Sequence, residues 1–121
     1  MKLAREDISY SISGDLLTMY LHPEYLNEEE CDLLAIISEL VVEHSLKKIL
    51  INLSKLIVLD AYHLLMIRNL SEIVKLLGTS IVFSNVRPEV VSAVVTTGLD
   101  THNLIFASTP DDGLRLLNTS T

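Results

Sequence analysis

Cysteine, glycine and basic residues are all scarce in this chain of 121 residues: one cysteine, four glycines and nine Lys or Arg. A lone Cys31 excludes an intrachain disulfide and any metal site built from several thiolates. Its expected role is packing, since a free cysteine behaves as a small buried hydrophobe and Glu28, Glu29 and Glu30 just before it oppose thiolate formation. Gly14, Gly78, Gly98 and Gly113 stand singly, so there is neither a phosphate-binding loop nor a dinucleotide fingerprint. Nine basic residues against sixteen acidic ones leave a net charge of −7. With no basic stripe to offset that charge, a phosphate backbone is repelled and no nucleic-acid partner is expected. Long apolar runs are also missing. Stretches such as Leu56–Leu59 and Leu64–Ile67 stop after four residues, far short of the ~20 that a membrane-spanning helix needs. Arg5, Glu6 and Asp7 place charge where a secretory leader would be apolar. The expectation is a cytoplasmic protein without a membrane segment.

What the chain does have is apolar content. Hydrophobic residues make up 49% of it and the mean hydropathy is +0.39, enough for one core in a single domain spanning 1–121. The surplus over one small core predicts a partner-binding face or a homo-oligomer.

The pattern along the chain is strand-like first and alternating afterwards. Ile8–Ile12 alternates at period two, Ser13–Asp15 supplies turn residues, and 16–22 resumes a strand, which predicts a hairpin. Asn27 followed by three glutamates predicts a helix start, with helical spacing continuing to His44. A continuous apolar run at 47–53 suits a strand covered on both faces. Asp60 can cap a second helix whose core stripe is Leu64, Ile67, Leu70, Ile73, Val74 and Leu77, with Gly78 as its stop. A strand at 79–85, a helix from Arg87 to about Thr97 with Pro88 in its first turn and Gly98 closing it, a strand at 103–108 and a last helix capped by Thr109 complete the series. Residues 119–121 read as a frayed tail. The order β-β-α-β-α-β-α-β-α predicts an α/β fold: a mixed, mostly parallel β-sheet with an N-terminal hairpin and about four helices.

No enzyme motif is present. His22, His44, His63 and His102 share no metal-ligand spacing, and no serine has the sequence context of a nucleophile. The acidic pairs fall in predicted first turns, where the helix dipole accounts for them. No metal, no cofactor and no catalytic residue is expected, and a small enzyme using Asp60 and His63 is the weakest reading. The segment around Asp60 is more informative. A loop leading from a strand's carboxyl end into a helix start is where ligands and modifications collect in α/β sheets. A hydroxyl one residue after Asp60 would be a phosphorylation switch, because the added charge rewrites the local electrostatics. This chain has Ala61 there.

Three segments together resemble the STAS domain, the fold of bacterial anti-sigma-factor antagonists and stressosome scaffold proteins. They are INLSKLIVLDAY at 51–62, LLGTSIVFSNVRPEVVSAVVTTGLD at 76–100 and the terminal DDGLRLL. The resemblance implies a STAS-type fold and a non-enzymatic protein-interaction module. It implies a protein partner, either a kinase or anti-sigma-like protein or a fellow STAS protein. In that family the Ser or Thr after the aspartate is phosphorylated by the partner kinase. By position Asp60 is the cap beside the switch, and Ala61 fills the acceptor position with no hydroxyl to modify. The implied partner surface is Leu59, Asp60, Ala61, Tyr62 and His63, with the neighbouring loop Asn85, Val86, Arg87, Pro88 and Glu89. Tyr62 carries its hydroxyl on a longer arm directed elsewhere. Either the protein is a constitutively unmodified binder, or its regulation has moved to a hydroxyl such as Ser54, Ser84 or Ser92. An alternative of a different class is a small-ligand sensor of the same fold, taking a nucleotide or a lipid.

Overall fold

The computed structural model describes residues 2–27, 29–90, 92 and 104–119. Its centre is one five-stranded sheet in the order β1-β2-β3-β4-β5. The hairpin strands β1 (Tyr10–Ser13) and β2 (Leu16–Tyr20) pair antiparallel. Gly14 takes a φ of 61° in the two-residue turn between them, a conformation that a glycine adopts without steric cost. The Asp15 carbonyl then accepts the amides of Lys47 and Lys48 and so docks the turn on the next strand. β2 with β3 (Lys48–Asn52), β3 with β4 (Ser80–Ser84), and β4 with β5 (Phe106–Ala107) all pair parallel.

The continuous apolar run of β3 is explained by the two layers that cover it. Ile49 and Ile51 face the larger cluster with Leu17, Met19, Ile81 and Phe83, under helices α1 (Leu33–His44) and α2 (Ala61–Leu76). Leu50 points to the other face, where it joins Val82, Ala107 and Leu117 beneath the closing helix, Pro110–Thr119. That helix lies close: a Cβ on Gly113 would stand 2.5 Å from a methyl of Leu50. Each fully buried aliphatic side chain contributes about 1.5–3 kcal/mol, so the larger cluster dominates the stability of the fold.

Several sequence expectations need correction in detail. The first helix begins not at Asn27 but at Leu33, after Asp32, whose side chain accepts from the Ala35 amide at 3.3 Å. Asn27 spends its side-chain oxygen on the Glu29 amide instead, and Cys31 is buried, bridged to Leu3, ahead of the helix. In α2 the buried stripe is Leu64, Met66, Ile67, Leu70, Ser71 and Val74, while Leu77 is exposed. Gly78, at φ 82°, does end it: the amides of Gly78 and Thr79 return to the carbonyls of Lys75 and Val74, the crossed pattern of a glycine-stopped helix. A further helix opens at Pro88; its expected end at Gly98 and the expected strand start at Asn103 lie outside the described residues. Thr119 belongs to the closing helix and bonds the Leu116 carbonyl, leaving only 120–121 of the expected tail outside the description.

Because β3, β4 and β5 run parallel, their following loops all leave the same edge of the sheet. The three helix starts, Ala61, Pro88 and Pro110, therefore gather at that edge.

Candidate interaction surface

Asp60 is a helix cap. Its backbone is extended, its Oδ1 accepts the His63 amide at 2.8 Å, and its carbonyl accepts the Leu64 amide. A side-chain acceptor at this place satisfies an amide that has no partner within the helix. His63 Nδ1 lies 3.4 Å from the same Oδ1 but makes no hydrogen bond. The His63 ring meets the Tyr62 ring edge-on at 5.8 Å. Asp60 Oδ1 is thus committed to structure.

Ala61 is the first helical residue after the cap and is exposed. Around it the apolar run of 56–59 divides. Leu56 and Leu59 are buried, whereas Ile57 is 64% and Val58 74% exposed. Tyr62 and Leu65 continue the exposed apolar surface along α2.

The loop after β4 approaches the loop after β3. Arg87 donates from Nε to the Ser54 carbonyl at 3.1 Å, and the Ser54 amide donates to Asn52 Oδ1 at 2.9 Å. Asn85 turns the chain at a φ of 60° while its amide bonds the Ala107 carbonyl. Asparagine visits that left-handed region more readily than most residues. Its Oδ1 is buried without a partner. Arg87, Pro88 and Glu89 are exposed and Val86 is half-buried.

The structure thus ties the 85–89 loop, through Arg87, to Ser54 in the loop that leads to Asp60. Sequence reasoning did not find that bond, and it did not foresee the exposure of Ile57 and Val58. A hydrogen bond across 33 positions leaves no local signal, and an apolar run does not say which of its members point outward. Of the alternative hydroxyls, Ser84 is fully buried and out of a kinase's reach, Ser54 is half-buried, and Ser92 is exposed.

Burial pushes the Cys31 thiol upward, with the Asp32 charge adding to it, which fits a packing residue. Among the described residues no group of three His, Cys, Asp or Glu could hold a metal ion, and no helix is long and apolar enough to cross a membrane.

The family model described as STAS domain matches residues 10–111. The fold is similar to a solved component of the stressosome, described as a signal integration and transduction hub, at 21% identity and a TM-score of 0.69, covering 92% of this chain and 96% of the other. It is similar to a serine-to-glutamate variant of RsbS from Moorella thermoacetica at 18% identity and a TM-score of 0.76, covering 93% and 95%. A Thermotoga maritima protein provisionally described as an anti-sigma factor antagonist matches at 16% identity and a TM-score of 0.72, covering 94% and 97%. Among curated protein sequences nothing matches significantly.

Proposed function

The chain belongs to the STAS domain family, and from that premise we propose that it is a non-enzymatic interaction module of the anti-sigma-factor-antagonist or stressosome-scaffold kind. Its partner is a kinase or anti-sigma-like protein or another STAS protein, met in the cytoplasm. The docking surface is Asp60 to His63 with exposed Ile57 and Val58 before them, together with the loop Asn85 to Glu89; Leu59, expected on this surface, is a core residue instead.

The observation that carries this reading is the setting of Ala61. It stands exposed at the first position of α2, directly after its cap, beside exposed Ile57, Val58, Tyr62 and Leu65. An apolar surface at a helix start, without a hydroxyl at its centre, suits a partner that binds this chain in one unmodified state. A phosphate added at that place would set a double negative charge among those apolar groups and oppose docking; alanine removes that possibility.

The test is affinity capture from native lysate with the protein as bait, and with an Ile57→Asp, Val58→Asp double variant as control. Recovery of a kinase-like, sigma-related or STAS partner by the first bait and not the second supports the assignment. Recovery of no such partner refutes it.

A further inference from the structure

The sheet has two edges, and they differ. β5 is two residues long, whereas β1 is four and pairs with β2 on one side only. Which groups of β1 face outward follows from its neighbour. The Asp15 carbonyl accepts from Lys48 and the Leu21 amide donates to the Asn52 carbonyl, so odd-numbered residues along 15–21 turn their main chain to β3. The even-numbered ones turn theirs to β1. Leu16 and Thr18 therefore hold the main chain of Ser13 and Ser11, their partners in register. The N–H and C=O groups of Tyr10 and Ile12 point away from the sheet.

An open row of this kind accepts another extended strand. Edges are commonly guarded by charge, proline or a bulge, and Ile8–Ser13 has none of these. The row is also self-complementary, because its free groups lie symmetrically about Ser11. A second β1 running antiparallel sets Tyr10 opposite Ile12 of the other copy and Ser11 opposite Ser11, and every outward N–H and C=O of the two strands is then bonded. A shift of register would call on Gly14, whose φ of 61° is not that of a strand, or on Ile8, whose amide already bonds the Arg5 carbonyl. Tyr10 and Ile12 are half-buried against the larger cluster. Laid side by side across the junction, they form an aromatic and β-branched pair of the kind that stabilises adjacent strands.

We propose that the free edge of β1 pairs antiparallel with β1 of a second copy, about a two-fold axis at Ser11, joining the two sheets into one. Antiparallel pairing reverses the parallel strands of one copy relative to the other. One dimer thus presents a surface around Ala61 at each end and can join two partners. That consequence rests on the docking surface proposed above, whereas the pairing itself does not. So short an edge makes a contact smaller than a lasting interface, and the association is weak. Asp7 and Asp15 flank the strand in a chain of net charge −7, so added salt strengthens it by screening.

The test is sedimentation velocity and amide hydrogen exchange of the intact protein from micromolar to millimolar concentration, with and without added salt, repeated on Ser11→Lys. Ser11 is exposed, so the variant keeps the fold while placing like charges face to face on the axis. Expected are a dimer fraction that rises with concentration and with salt, several-fold slower exchange at Tyr10 and Ile12 as it rises, and loss of the dimer in the variant. Cysteine trapping reads the register. Ser11→Cys is expected to cross-link two copies on mild oxidation, because facing residues of a non-hydrogen-bonded pair bring their Cα atoms to about 4.5 Å. Ser13→Cys is not, and Cys31 is buried out of reach. The proposal is overturned by a monomer at every concentration, by a dimer that salt dissolves or that Ser11→Lys leaves intact, or by equal cross-linking of the two cysteine variants. It is equally overturned if exchange at Tyr10 and Ile12 slows only once another protein is added, which would give the edge to that protein's strand.

Discussion

Arg87 Nε donates to the Ser54 carbonyl oxygen across 3.1 Å, and this one bond ties the loop after β4 to the loop after β3. The Arg87 side chain is exposed, so its thermodynamic weight is small while its positional effect is large. Replacing it with alanine is expected to lower stability by about 1 kcal/mol or less. It is also expected to speed amide hydrogen exchange between Ser54 and Leu59. Exchange in that loop that is identical to wild type would show that the bond does not hold it.

Asp60 gives a prediction of the opposite kind, in which stability responds. Asp60→Ala leaves the His63 amide without its acceptor and is expected to cost about 0.5–2 kcal/mol in urea unfolding. Asp60→Asn, which retains an acceptor, is expected to recover most of that loss.

Gly113 tests how closely the closing helix lies on the sheet. Alanine is the better helix former by about 1 kcal/mol, yet its methyl would meet Leu50, itself buried. Net destabilisation of about 1 kcal/mol is expected, because overpacking of this kind costs about 1–3 kcal/mol. A stabilised variant would mean that the helix sits farther out.

Glu43 and Arg5 form an exposed ion pair. The hydrogen bond from Arg5 holds the Glu43 carboxyl below the usual carboxylate range. A group whose folded pKa is depressed stabilises above its unfolded pKa, about 4.3 for glutamate, and the contribution fades as pH falls through the folded value. Glu43→Gln should therefore lower the urea midpoint slightly near neutral pH and leave it unchanged in strong acid. The amplitude should shrink in high salt, since both side chains are solvent-exposed.

The parts of this molecule legible in its sequence are those decided locally. Asp60 caps α2 and Gly78 stops it because a cap acceptor and a positive φ act within a few residues. The β3 run reads as doubly covered because apolar residues occupy both faces of the strand. Asn27 misled for the same reason: its local signal is a good helix start, but the chain instead forms a turn, buries Cys31 against Leu3 and gives the cap to Asp32. Burial of that segment outweighed local preference. At the candidate surface, the place of Ala61 at the start of α2 was readable from the Asp60 cap before it, whereas the outward turn of Ile57 and Val58 depends on which neighbours Leu56 and Leu59 find in the core.

The central claim is that the surface around Ala61 binds a protein partner in a single, unmodified state. Its most direct test compares the captured partner's affinity for the wild-type protein with that for Ala61→Glu. Glutamate in a first helical turn stabilises the helix by about 0.3–1 kcal/mol, so lost binding could not be attributed to unfolding. The account predicts that wild type binds and that Ala61→Glu binds at least several-fold more weakly at unchanged or higher melting temperature. Equal affinity of the two would contradict it.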